Sequence, residues 1–345
     1  MARKQKTAAQ KAKAKATCEK RINEARQRTT DEIIALMERD GLDWHKDWNA
    51  TGAANIFDPH NPTTGTHYRG GNLMALALDC IALGIDDNRF CTDYQAKKLG
   101  WTVQPDAHRF TIEKWKRFSF TKTDADGNDV LDADGNPEWI SYYKPVSFFY
   151  VYNYSQIDGA PQLEKPTTEP RARENLDDLI DALEDSSRCA MTEDGGDRAY
   201  YQPATDSIHV PNRDFFDSLN GALRTYLHEM GHSTMHPTAC DRTEARGNRH
   251  GSEKYAYEEL VAELTAVFSA AYLGLDLGDD FDAHRENHAA YLKSWLTKLK
   301  SDTSYIYRAA AEASKACDYI IDRLTTAHPE YTRDDDVIVD EPKAA

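Results

Sequence analysis

The sequence predicts an α+β chain of two domains, the first of mixed α+β type and the second mainly helical. Three observations carry that expectation. Within residues 109–152, several segments are rich in aromatic and β-branched residues, the composition of strands. From residue 175 onward, apolar residues recur at helical spacing. Between the two, Asp158 to Arg173 carries Pro161, Pro166 and Pro170 among polar residues, as a linker does. The expected organisation is therefore a basic segment 1–28, a first domain 29–160, a linker 161–174, a second domain 175–326 and an acidic, disordered tail 327–345.

At 345 residues the chain is long enough for two ordinary domains. Its most apolar run, Leu73 to Ile85, is broken by Asp79 and Cys80 and falls short of the roughly 18 apolar residues of a membrane span, so no membrane partner is expected. The first residues are charged and no apolar block follows them, which argues against a secretory signal. Cys18, Cys80, Cys91, Cys189, Cys240 and Cys317 are scattered without a Cys-x-x-Cys pair, which fits a reducing cytoplasm and provides no cysteine zinc site.

The net charge of −16 hides an asymmetry. Met1 to Arg28 holds ten Lys or Arg against Glu19 and Glu24, a net +8, so residues 29–345 carry −24. The basic segment is expected to be disordered or helical, and suits either solvent or an anionic partner. The acidic remainder disfavours nonspecific duplex binding, because it has few excess cations with which to release counterions.

Thr30 to Arg39 reads as a helix capped by Thr30, with Ile33, Ile34 and Met37 as its apolar stripe. Trp44, Lys46 and Trp48 follow, then a Gly-, Asn- and Pro-rich loop to Asn61-Pro-Thr-Thr-Gly65. Tyr68-Arg-Gly-Gly-Asn72 opens a helix over 73–83, and a shorter one covers 92–99. Strands are predicted over 109–115, 139–143 and 146–152. Asp124-Ala-Asp-Gly-Asn128 and Asp132-Ala-Asp-Gly-Asn136 repeat each other between them. A calcium loop needs a glutamate at its twelfth position, here Gly135, so the repeat reads as two Asp-Gly turns at a hairpin tip. The second domain is expected to hold a helix over 175–184, an antiparallel hairpin over 200–211, and a helix from Asp214 into the motif below. Further helices cover 256–275, about 288–300 and 305–325. The strand around Ser207 to Val210 is a candidate to hold an extended peptide by edge pairing.

Residues 228 to 232 read His-Glu-Met-Gly-His, a pattern expected by chance about 0.025 times in a chain of this length and composition. On a helix, His228 and His232 at i and i+4 share a face and can hold one metal, with Glu229 directed at water beside it. Two imidazoles leave a tetrahedral ion short of ligands, so a third must come from elsewhere. The helix over 256–275 is apolar apart from its carboxylates, which need partners there. Glu259 is assigned as third ligand, with Glu258 the alternative, and Glu263 as acceptor for a ligand histidine's second N–H. A third histidine ten residues after the first is absent, because that position is Thr238. His236, just ahead of Pro237, is placed beside the cleft, and with Tyr255 and Tyr257 it is a candidate oxyanion donor. The expected cofactor is one Zn²⁺ per chain. Such an ion acidifies water, Glu229 takes the proton, and a peptide carbonyl is the electrophile.

Residues 44 to 154 are dense in aromatics interleaved with Lys and Arg. That composition suits single-stranded nucleic acid, where rings stack on bases and cations hold phosphates, although a core uses the same rings. Trp44, Lys46, Trp48, Tyr68, Arg69, Asn72, Lys97 and Lys98 are the candidate DNA contacts.

The chain resembles the ArdC-type antirestriction proteins of conjugative plasmids and phages over about residues 29–325. In the first domain the resemblance rests on Trp44, Trp48, Asn61-Pro-Thr-Thr-Gly65, Tyr68-Arg-Gly-Gly-Asn72, Thr92-Asp-Tyr-Gln-Ala96, Gly100 and Val151-Tyr-Asn-Tyr-Ser-Gln-Ile-Asp-Gly159. In the second it rests on Tyr200-Tyr-Gln-Pro203, Asp206-Ser-Ile208, His228-Glu-Met-Gly-His-Ser-Thr234, His236, Gly251-Ser-Glu253 and Tyr257-Glu-Glu-Leu-Val-Ala-Glu263. Where family members carry a basic Lys- and Gly-containing turn, this chain has Gln104-Pro-Asp-Ala-His108. The resemblance implies an N-terminal single-stranded-DNA-binding domain joined to a zincin-like metallopeptidase domain of gluzincin type. It also implies a bacterial cytoplasmic setting, protection of incoming DNA, and a protein substrate that includes restriction-system components. A DNA-binding shield whose metal site does not cleave, or a co-injected interaction protein, are the alternatives.

Overall fold

Helix α1 (Ala8–Asp40) runs 33 residues without a break in the computed structural model. The structure describes residues 7–40, 55–132, 134–163, 173–194, 196–216, 218–242, 253–275 and 285–333. Ala, Lys, Gln and Glu favour helix intrinsically, and the i,i+4 pairs Lys15–Glu19 and Lys20–Glu24 support the exposed first turns. From Ile22 onward the helix enters the core through Ala25, Ile33, Leu36 and Met37. The expected boundary at residue 28 is therefore no boundary in space. Thr30 is not a cap either; it lies inside the helix and its hydroxyl donates to the Thr303 carbonyl at 3.3 Å.

Next come β1 (His60–Asn61) and β2 (Thr66–His67), a short antiparallel ladder, and the almost wholly buried α2 (Gly70–Leu83). Strand β3 (Phe90–Cys91) leads into α3 (Asp93–Lys98), started by a capping box of Thr92 and Gln95. Strand β4 (Thr102–Val103) pairs with β7 (Ile157–Asp158), and between them stand the long strands β5 (Phe110–Thr121) and β6 (Trp139–Asn153). The order β3-β6-β5 makes a three-stranded sheet. The two strands expected over 139–152 are one strand. Pro145 has no N–H to donate, and the ladder shifts register between Lys114 and Trp115, opposite Pro145 and Ser147. The inner end of this hairpin, Phe110, Ile112 and Val151, is core; its outer half exposes aromatic rings. Near the tip, Asp124 and Asp132 each accept two backbone N–H groups through one carboxylate oxygen, so both Asp-Gly segments form turns.

In the second unit α4 (Arg173–Ser186) precedes β8 (Ala190–Thr192), β9 (Tyr200–Gln202) and β10 (Ser207–His209). Strand β10 pairs with β8 in parallel and with β9 antiparallel. Both edges of β10 are thus occupied, which corrects the expectation that it receives a peptide by edge pairing. Helix α5 (Leu219–Ser233) starts at Ser218, whose hydroxyl accepts from Gly221 N–H at 3.0 Å, and not at Asp214. Phe215, inside the helix expected from Asp214, sits in a preceding 3₁₀ turn and is 78% exposed. Helices α6 (Glu253–Leu273), α7 (Arg285–Ser301) and α8 (Tyr305–Ala327) complete the unit. Residues just past α8 are ordered, contrary to the expected tail: Pro329–Tyr331 form a helical turn, and Arg333 bonds Asp58 and the Tyr272 carbonyl.

One continuous core joins both units, with Met37, Leu76, Phe90 and Phe110 in the same cluster as Leu223, Leu260, Ile306 and Ile320. Helix α8 packs on α2 as well as on α6. A Cβ on Gly71 would lie 2.0 Å from the Tyr307 ring, so only glycine permits this approach. Arg26 bonds Glu113 at 2.6 and 2.8 Å and Ser304 at 2.9 Å, tying helix, hairpin and second unit together.

A half-buried carboxylate, Glu32, meets the buried Asp79 where α1 packs on α2. Burial, followed by the charge and hydrogen bond of Asp79, pushes Glu32 up to about 8. Burial alone would raise Asp79 too, but His108 at 3.6 Å and two hydrogen bonds from Arg28 hold it below the usual carboxylate range. The two shifts describe one proton that stays on Glu32. A carboxylate raised in the folded state favours folding most below its unfolded pKa, and that contribution is lost as pH rises through the folded value. Glu32→Gln is therefore expected to stabilise the chain at pH 8 by on the order of 1 kcal/mol and to be neutral near pH 4. Thermal melts at the two pH values check this; equal effects at both would contradict it.

Candidate metal centre

Helices α5 and α6 bring the site together. Gly231, inside the His-Glu-Met-Gly-His segment, faces α6; a Cβ there would lie 3.2 Å from Thr265 Cβ and 3.3 Å from Ala262 Cα. The missing side chain lets the helices approach until Glu259 meets both histidines. Its carboxylate oxygens lie 3.7 Å from His228 Nε2 and 3.6 Å from His232 Nε2. One donor atom from each of the three lies within 4.8 Å of the other two, and all three side chains are buried. Metal–ligand bonds of about 2.0–2.2 Å need only a modest contraction of that spread.

Each histidine is backed by its own carboxylate and arginine. His228 Nδ1 lies 3.7 Å from Glu263, which accepts from Arg224 at 3.2 Å. His232 Nδ1 lies 3.6 Å from Glu258, which accepts from Arg242 at 2.9 and 2.5 Å. Arg242 also donates to Thr234 Oγ1 and the Gly231 carbonyl, fixing the end of α5. Such outer carboxylates orient metal-ligating imidazoles. Glu258, the alternative ligand from the sequence, thus lies behind His232, on its Nδ1 side. Arg224 was legible as an arginine one turn before His228 on an apolar face; Arg242 carried no sequence signal.

The electrostatics suit a cation. Glu229, Glu258, Glu259 and Glu263 are buried together, with Arg224 and Arg242 beside them. Burial disfavours a charged imidazole, yet Glu259 and the neighbouring carboxylates outweigh it and raise both His228 and His232. Burial likewise disfavours a charged carboxyl, but His232, His228 and Tyr255 hold Glu259 down at about 2. Four buried carboxylates against two guanidiniums leave excess negative charge, and the two-histidine, one-carboxylate donor set fits a divalent ion.

Of the three oxyanion candidates, Tyr255 hydrogen-bonds Glu259. Tyr257 packs edge-on against Tyr305 with ring centroids 5.3 Å apart. His236 bonds Thr238 Oγ1 at 2.9 Å and lies 3.8 Å from Asp206, which Arg188 holds down at about 2.

The sequence-predicted DNA contacts fare unevenly. Trp44, Lys46 and Trp48 lie outside the described residues. Tyr68 is buried edge-on against Phe90 at 6.3 Å, so it cannot stack on a base. Asn72 exchanges two hydrogen bonds with the Glu113 backbone, at 2.9 and 2.8 Å, and serves to dock α2 on β5. Arg69 pairs with Asp318. Lys97 pairs with Asp93 at 2.6 Å, and Lys98 lies over the exposed Tyr94 ring at 4.9 Å. Among the described residues, the hairpin turns Trp115, Phe120, Trp139, Tyr142, Tyr143 and Phe149 to solvent. Lys116 and Lys144 lie over Phe118 among them, at 5.6 and 4.8 Å. No helix among the described residues is long and apolar enough to cross a membrane.

Comparison with known proteins agrees with this layout. Residues 23–149 match the N-terminal domain of anti-restriction factor ArdC, and residues 178–312 match a zincin-like metallopeptidase. The metal-free crystal structure of antirestriction ArdC protein from the R388 plasmid is similar at 31% identity and a TM-score of 0.63, over 87% of this chain and 98% of that one. Its Mn(II)-bound structure is similar at 30% identity and a TM-score of 0.62, over 87% and 97%. Two Escherichia coli proteins named DNA primase TraC are 37% identical over 301 and 297 residues, or 86% and 84% of this chain, which spans only 27% and 19% of their lengths. An uncharacterized protein, y4eC of Sinorhizobium fredii, is 29% identical over 295 residues, 85% of this chain and 90% of its own length. With two matched domains in the same order and an ArdC structure covered almost end to end, this chain belongs to the ArdC family of antirestriction proteins.

Proposed function

We propose that this chain protects incoming single-stranded DNA through two linked activities. The N-terminal unit binds the DNA strand, and the zincin-like unit hydrolyses a peptide bond in a restriction-system protein. The observation that carries the reading is the buried convergence of His228, His232 and Glu259 amid excess carboxylate charge. The Mn(II)-bound state of the R388 relative supports a divalent ion, which we assign as Zn²⁺ from the donor set.

An ion held by these three residues supplies Lewis acidity and makes nearby water more acidic. Glu229, adjacent to His228 on α5, takes the proton from water and returns it to the leaving amine. Glu263 and Glu258, 3.7 and 3.6 Å behind the imidazole Nδ1 atoms, favour the rings turned toward Glu259. Tyr255, bonded to Glu259, is the hydroxyl we assign to steady the developing oxyanion. Purified restriction-enzyme subunits incubated with the full chain and Zn²⁺ are expected to give discrete fragments, and none once a chelator has stripped the metal. Intact subunits in both cases would contradict the hydrolytic reading.

For the DNA strand, the exposed rings of β5 and β6 offer stacking platforms, with Lys116, Arg117 and Lys144 available for phosphates. Trp139→Ala and Tyr143→Ala are each expected to weaken single-stranded DNA binding by about 1–3 kcal/mol, the range for one lost base stack. Filter binding at near-physiological salt measures it, and unchanged affinity in the double variant would move the interface elsewhere.

A further inference from the structure

Asp58, His60 and His67 gather at the β1–β2 ladder, away from the centre on α5 and α6. His60 and His67 are direct cross-strand partners, and residues so paired stand on one face of the ladder. Their imidazoles stack with centroids 5.3 Å apart and planes 20° from parallel. His67 Nδ1 lies 2.8 Å from Asp58 Oδ1, and His60 Nδ1 lies 3.3 Å from the Asp58 carbonyl. One donor atom from each side chain lies within 4.8 Å of the other two. Unlike the α5–α6 centre, all three are half-buried, so an ion reaches them from solvent.

We infer that Asp58, His60 and His67 form a second site for a divalent transition-metal ion. Two imidazoles and one carboxylate select zinc-like ions over the oxygen-seeking Ca²⁺ and Mg²⁺. Arg333 donates to Asp58 Oδ2 at 2.5 Å and is itself fixed by the carbonyls of Ala271 and Tyr272, both at 2.8 Å. It holds the carboxylate with Oδ1 toward His67, and it adds a positive charge that makes this the weaker of the two sites. That charge disfavours purely electrostatic ligation and leaves nitrogen-preferring ions the best fit.

The position gives the ion a structural role. Asn55 Nδ2 donates to the Ala271 carbonyl at 2.7 Å, and the Phe57 and Phe268 rings pack at 6.5 Å, so this segment docks on the far end of α6. A ligated ion ties the N-terminal ladder, and through Arg333 the segment after α8, to the helix that carries Glu259. An ion bound only by the folded chain raises its melting temperature.

Isothermal titration of the metal-stripped full chain with Zn²⁺ tests this inference. The wild type is expected to take up two equivalents, a tight and a weaker one. His60→Gln and His67→Gln each lose the weaker equivalent and the part of the Zn²⁺-induced melting shift that goes with it. His228→Ala keeps the weaker equivalent and loses the tight one. If both ladder variants titrate as the wild type does, the inference is overturned. If the α5–α6 centre binds nothing, the wild type takes one equivalent that His67→Gln removes and His228→Ala retains, so the two sites stand or fall separately.

Discussion

Glu229→Gln is expected to lower peptide hydrolysis by about 10²–10⁴-fold, the range for loss of a general base, while leaving the fold and the metal in place. The amide keeps the size and polarity of the side chain, so the buried site beside His228 is not opened, but it cannot take a proton. Removing one of four buried carboxylates also relieves like-charge repulsion, so stability should not fall. The same variant separates two roles of the chain. If protection from restriction survives with hydrolysis gone, the zincin-like unit is a metal-binding scaffold; if both are lost together, cleavage is the protective step. Full hydrolysis by the variant would remove Glu229 from the mechanism.

Arg242→Met is expected to destabilise the chain by about 3–5 kcal/mol, the range for breaking a buried ion pair from one side. Its guanidinium holds both oxygens of Glu258 and also bonds Thr234 Oγ1 and the Gly231 carbonyl. Without it, a buried carboxylate is left beside His232 and the end of α5 loses a tie. The double variant Arg242→Met with Glu258→Leu should recover much of the loss, because the stranded charge goes with its partner. Metal affinity should still fall in the double variant, since His232 Nδ1 no longer faces an acceptor. Denaturant unfolding of the single and double variants measures this. Equal losses in both would show that Arg242 acts through packing alone.

Much of the layout was legible because it follows local rules. The i,i+4 histidines and the carboxylates on an otherwise apolar helix each announce themselves within a few residues. What stayed hidden depends on distant partners. Glu258 and Glu259 are adjacent in sequence, and only the close α5–α6 approach at Gly231 puts one facing both imidazole Nε2 atoms and the other behind His232. Tyr68 and Asn72 looked like DNA contacts because aromatic and amide side chains serve cores and ligands alike. Their burial is decided by Phe90 and the Glu113 backbone, which no periodicity shows. The basic N-terminal segment merged with the next helix for a similar reason. Its apolar positions are too sparse to form a stripe, yet Ile22 and Ala25 are buried and Arg26 bonds Glu113 on the hairpin.

The central claim is that His228, His232 and Glu259 hold one divalent ion. The most direct test is the zinc retained after dialysis by the full chain carrying His67→Gln, so that only the α5–α6 centre is counted, with and without Glu259→Ala. One tightly held equivalent that Glu259→Ala abolishes is the predicted result. Zinc undiminished in Glu259→Ala, in a chain whose melting curve shows it folded, would contradict the assignment.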